Sequence, residues 1–200
     1  MASKRLKEAI ACLADSHRVS VEWLPYQFNP DCPVEGRPWE GYEQFITGPR
    51  WQHLVSEGAR AGLVFRGKGD GRTANSSLFH ACMAFYGSLD ATTSPRGSKQ
   101  DRFQAAAFEG FYMHGDGFHA NETQSYVNAA KRAGLESEEL LGFLSDKARV
   151  ADTQALAVAH AAQLRPQVSG TPFFVVNGEW HAAFSGAQMT PTFVEALQHC

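Results

Sequence analysis

Ser169-Gly170-Thr171-Pro172-Phe173-Phe174-Val175-Val176-Asn177-Gly178 is the most informative stretch of this chain. Phe173–Val176 is a continuous run of aromatic and β-branched residues, the composition of a buried strand. Asn177-Gly178 is a strong signal for a two-residue hairpin, because both positions of such a turn need positive φ. Glu179 to Ala182 then reads as the returning strand. An X-Pro bond such as Thr171–Pro172 adopts the cis form at modest cost, and a retained cis bond marks a specific turn.

Downstream, Ser185-Gly186-Ala187 turns into a final helix, 191–198, with Pro191 at a first-turn position that tolerates proline. Upstream, the character is helical. Segments 99–114, 122–133, 137–144 and 147–164 carry helical periodicity, punctuated by Gly115, Gly117 and Gly134. Residues 75–89 form a further helix with Leu78, Phe79, Cys82, Phe85 and Tyr86 on one side. At the start, Leu6, Ala9, Ile10 and Leu13 fall on one face of a helix from Ser3 to Ala14, which Ser3 can cap. Val19, Val21 and Trp23 alternate with Ser20 and Glu22, the period of a strand. The Pro-rich stretch 29–38 is a loop. Helices are expected at 39–46 and from Pro49 to about Ala61, with a short strand at Leu63–Phe65.

The order is helix–strand, a block of helices, then hairpin–helix. Pattern alone therefore gives an α/β domain with a helical insertion, divided as 1–66, 67–146 and 147–200. The 44% of hydrophobic residues, with 14 Phe, suffice for a sizeable core. A net charge of −3 argues against nucleic acid or an anionic membrane surface as the main partner. No apolar run approaches a membrane span. Glu8, Asp15 and His17 interrupt any signal-peptide core, so a cytoplasmic location is expected.

The four cysteines, Cys12, Cys32, Cys82 and Cys200, include no Cys-x-x-Cys and no zinc spacing. Cys12 and Cys82 read as small buried hydrophobes. Cys32, in the Pro-rich loop, and terminal Cys200 are the candidates for exposed thiols, with nothing nearby to depress their pKa. Gly67, Gly69 and Gly71 lack the spacing and the following Lys-Ser/Thr of a phosphate loop, and read as a flexible turn. His114, His119, His160 and His181 have no metal spacing; His80 reads as a packed helix residue. Neither metal nor cofactor is expected.

The Thr171–Pro172 stretch resembles the cis-proline loop and hairpin of thioredoxin-fold oxidoreductases of the DsbA-like type. Other segments share the likeness. Residues 21–30, Val-Glu-Trp-Leu-Pro-Tyr-Gln-Phe-Asn-Pro, are similar to the second strand and loop of the FrnE-like branch. Asn75 with His80, Phe108-x-x-Phe111-Tyr112, residues 121–144 and Ser185-Gly186-Ala187-Gln188 are similar to its helix start, insertion and closing turn. The resemblance spans nearly the whole chain and extends to kappa-class glutathione transferases and 2-hydroxychromene-2-carboxylate isomerases.

It implies a thioredoxin-like fold with an inserted helical subdomain. It also implies dithiol–disulfide exchange on a protein or peptide substrate, or use of glutathione, with Thr171 and Pro172 as the substrate-binding pair. By the family pattern, a first strand and a Cys-x-x-Cys at the first helix would stand before Met1. The expectation is thus an oxidoreductase family member inactive in this form, the incomplete product of a longer gene. The alternatives are a non-catalytic peptide-binding module, or a transferase or isomerase of the kappa type. Ser3 reads as a helix cap rather than a replacement nucleophile. No residue points to a homodimer, although a dimer exchanging elements would complete the sheet.

Overall fold

The computed structural model describes all residues except 28, 30, 68–71, 74, 91–97, 115–117, 165–166, 169 and 200. Gly69, Gly71, most of the polar turn after Leu89, Ser169 and Cys200 therefore lie outside the described residues.

Helix α1, Ala2–Cys12, buries the stripe Ala2, Leu6, Ala9 and Ile10. Ser3 does not cap it: the Met1 carbonyl already accepts the Arg5 N–H at 3.1 Å, so Ser3 lies within the first turn. The next segment keeps its expected alternation, with Val19, Val21 and Trp23 half-buried and Ser20, Glu22 and Leu24 exposed. It is nevertheless not a paired strand. Among the described residues no backbone group pairs with residues 19–23. Instead the Gln100 side-chain amide substitutes for a neighbouring strand at Trp23, with Oε1 accepting its N–H at 3.2 Å and Nε2 donating to its carbonyl at 3.3 Å. The Trp23 indole donates to the buried Asp101 carboxylate.

Helices α2, Tyr42–Thr47, and α3, Pro49–Arg60, follow, with Pro at the first turn of α3. Leu63–Phe65 is not a strand either. Gly62 takes φ +68 just past α3, and the Leu63 N–H turns back to the Gly58 carbonyl at 2.8 Å, the hydrogen bond of a Schellman C-cap. That donor is thereby lost to any ladder. Arg66 then bonds the Tyr112 carbonyl at 2.8 Å.

The larger core lies among α4 (Ser77–Leu89), α5 (Lys99–Glu109), α6 (Thr123–Arg132), α7 (Ser137–Ser145) and α8 (Lys147–Leu164). Tyr86, Phe103, Tyr126, Leu140 and Cys82 are its largest fully buried members. The helix expected to run to His114 changes at Gly110 into a π-helical turn, Gly110–His114. Gly110 sits where a Cβ would stand 2.6 Å from the Phe118 ring and 2.7 Å from the Arg132 guanidinium. Helix α8 lies against α4 and buries Ala157 and Ala161. Among the described residues no helix is long and apolar enough to cross a membrane.

The chain ends in a small second layer. Strands β1, Phe173–Phe174, and β2, Phe184–Ser185, pair antiparallel with Phe173 opposite Ser185 and Phe174 opposite Phe184. Asn177 (φ +49) and Gly178 (φ +78) do form a turn, closed by Glu179 N–H on the Val176 carbonyl at 2.9 Å. The return strand is not Glu179–Ala182, however. Trp180–Ala182 coils into a 3-10 turn, with Trp180 stacked on Phe173 at 6.1 Å, and pairing resumes only at Phe184. Helix α9, Thr190–Gln198, packs along α1. Leu6, Ala9, Ile10 and Phe193 form the centre of this layer, and Val19, Val21, Phe174 and Phe184 cover it. The buried Arg5 locks it: its guanidinium donates to the Ala187 carbonyl at 2.8 Å and to the Glu57 carboxylate at 3.2 Å. That hydrogen bond holds the Glu57 carboxyl below its usual pKa.

Candidate substrate-docking site at Thr171 and Pro172

The Thr171–Pro172 peptide is cis. Thr171 is exposed and Pro172 half-buried. Proline has no N–H, and the Pro172 carbonyl is occupied by the Gly186 N–H at 2.8 Å. Gly186 can make that approach because it takes φ +87, a conformation natural to glycine alone. Gln188 braces the turn, its side-chain amide donating to the Ser185 carbonyl at 2.7 Å. Thr171 is exposed, and among the described residues neither its backbone nor that of Gly170 has a backbone partner.

The upstream end of this loop is fastened from elsewhere. Val168 is buried, and its N–H bonds the Leu164 carbonyl at 2.9 Å as α8 runs out. Its carbonyl accepts the phenol of Tyr26 at 3.2 Å. Tyr26 and Gln27 belong to a polar cluster at the start of α4. The buried Gln27 donates to Asn75 Oδ1 at 3.2 Å, and that oxygen also accepts the Ser77 N–H at 2.9 Å. Asn75 Nδ2 donates to the Cys32 carbonyl, and the Asn75 N–H donates to Asn121 Oδ1 at 3.0 Å. Both polar atoms of this buried side chain and the Asn75 N–H thus have partners, as burial demands. One turn along α4, burial lowers the pKa of His80 from 6.5 to about 4, against an opposing hydrogen bond to the Tyr26 backbone. His80 is therefore a neutral, packed residue at neutral pH.

The thiols are placed elsewhere. Cys82 is fully buried in the helical core, where desolvation raises its pKa far above the ordinary range. Two expectations need correction. Cys12 is exposed rather than buried, because it lies off the stripe that α1 turns inward. Cys32 is buried rather than exposed: Asn75 draws its carbonyl inward, and its Sγ lies 3.4 Å from Thr73 Oγ1. Among the described residues no group of three His, Cys, Asp or Glu side chains is arranged to hold a metal. A cavity of about 300 Å³, lined by Glu35, Arg72, His119, Asn121 and Glu122, shares no residue with the 168–172 loop.

The cis turn at Thr171–Pro172 lies within a local motif of the sequence. The supporting role of Tyr26 was not legible there: Tyr26 lies in the quoted stretch 21–30, but its contact with Val168 spans 142 positions.

The sequence model of the DSBA-like thioredoxin domain matches residues 1–198, and the chain belongs to that family. Its fold is thioredoxin-like and helix-rich, with a helical insertion and, among the described residues, a small two-stranded sheet. A solved structure, that of a probable DsbA oxidoreductase from Streptomyces coelicolor, is similar over 99% of this chain and 82% of its own, with a TM-score of 0.76 and 22% sequence identity. That likeness is one of fold. None of the curated proteins matches the chain.

Proposed function

We propose that this chain is a DsbA-like protein that docks an extended polypeptide along Thr171–Pro172 and does not itself carry out dithiol–disulfide exchange. One observation carries the reading: the docking edge is fastened at both ends and presents the Thr171 backbone, while the chain has no Cys-x-x-Cys. Exchange requires a thiolate that attacks a substrate disulfide and a second thiol that resolves the mixed disulfide. Cys82 is sealed in the core, Cys32 is turned toward Thr73, and Cys12 lies on the outer side of α1. An extended chain needs less: backbone N–H and C=O groups with which to pair, and an apolar surface beside them. Thr171 offers the first, and Pro172 with the half-exposed Trp180 stacked on Phe173 offers the second. The stretch 21–30 supports the FrnE-like branch.

Trp180 also supplies the assay. Titration with reduced, carboxymethylated insulin B chain is expected to give a saturable change in tryptophan fluorescence that disappears in Trp180→Phe. Glutathione run in parallel tests the kappa-type alternative. A fluorescence signal that responds to glutathione and not to the peptide would overturn the docking reading.

A further inference from the structure

We infer that Tyr26 is the positioning residue of the docking edge, setting the course of Gly170 and Thr171 through its hydrogen bond to the Val168 carbonyl. The inference rests on reading Thr171–Pro172 as that edge. Among the described residues the loop has one tie downstream, Gly186 N–H on the Pro172 carbonyl, and one upstream, Tyr26 Oη on the Val168 carbonyl at 3.2 Å. At Gly170 and Thr171 the packing is loose. A Cβ built on Gly170 would meet nothing within 4 Å, and Thr171 is exposed. The direction in which Thr171 presents its backbone is therefore set at the two ties.

The upstream tie is itself rigidly based. Pro25 restricts the chain just before Tyr26. The His80 ring bonds the Tyr26 backbone, and the neighbouring Gln27 is pinned by Asn75 at the start of α4. The phenol thus carries the position of α4 across to the docking loop. A phenylalanine would fill the same space but leave the Val168 carbonyl, on a buried residue, without its donor. A buried acceptor without a partner is costly, so the carbonyl would turn toward water and carry Gly170 and Thr171 with it.

The test is Tyr26→Phe in the full chain, read in two ways. The amide resonances of Gly170 and Thr171 are expected to shift, while those of Tyr126 and Leu140 in the helical core stay in place. The dissociation constant for reduced, carboxymethylated insulin B chain is expected to rise roughly two- to tenfold, the size of one net hydrogen bond. Incorporation of 3-fluorotyrosine at position 26 keeps the donor and should restore both readouts; it also keeps the test open if the phenylalanine variant folds poorly. Unmoved Gly170 and Thr171 resonances in Tyr26→Phe, or loop shifts in the fluorotyrosine protein as large as those of the phenylalanine variant, would overturn the inference. So would equal peptide affinities in the variant and the parent. If the parent binds no peptide, the docking reading fails, and the amide spectra still decide whether Tyr26 sets the loop.

Discussion

Acidification loads a proton onto His80 in the unfolded chain well before it does so in the folded protein. Burial lowers the folded pKa from 6.5 to about 4, so between those values the unfolded state binds the proton and the folded state does not. Stability must fall as pH falls through that window and level off below it. A separation of about 2.5 pH units corresponds to about 3 kcal/mol at full extent. Partial titration gives a loss of about 1 kcal/mol at pH 5.5 and about 2–3 kcal/mol at pH 4.5, relative to pH 7.5. Glu57 and Glu136, whose carboxyls are held down by Arg5 and Lys99, contribute only below the ordinary carboxylate range and so fall outside most of this window. Urea denaturation at each pH measures the loss directly. In His80→Gln, which keeps a donor for the Tyr26 backbone, the fall between pH 7.5 and 5.5 should vanish. An equal fall in the variant, or none in the parent protein, would refute the assignment of His80 as a buried neutral residue.

Asn75→Ala removes the hub that joins Gln27, the Cys32 carbonyl and the start of α4, leaving buried polar groups without partners. The expected cost is about 2–3 kcal/mol in urea denaturation at pH 7.5. Phe193→Ala opens a void at a side chain only 1% exposed, between the rings of Phe174 and Phe184. It should cost about 3–5 kcal/mol. The loss should be accompanied by loss of the β1–β2 amide protection before that of α6 and α7, because the two cores are separate clusters.

Local rules were sufficient wherever a segment could satisfy itself. Helix α8 occupies the expected Lys147–Leu164, and Pro49 and Pro191 both sit in first turns. The strands were less legible, since a strand depends on a partner that its own residues do not specify. Val19–Trp23 has the right alternation and the right buried face, yet among the described residues its backbone is fastened at Trp23 by a glutamine side chain from α5 rather than by a strand. Leu63 gave its donor to the α3 C-cap instead of a ladder. At the hairpin, Asn177 and Gly178 adopt the conformations their types favour, but the stacking of Trp180 on Phe173 delays pairing to Phe184. The candidate site divides along the same line. Thr171–Pro172 is a contiguous motif and readable as such, whereas Tyr26 and Val168 meet only once the chain is folded.

Dithiol-dependent reduction of insulin by the 200-residue chain, repeated with Cys12, Cys32, Cys82 and Cys200 each changed to Ser, tests the central claim most directly. The account predicts turnover no faster than the dithiol alone, unchanged in every variant. Turnover clearly above that rate and abolished by one substitution, at Cys32 or Cys200 for example, would contradict it and place a redox centre among thiols assigned here no catalytic part.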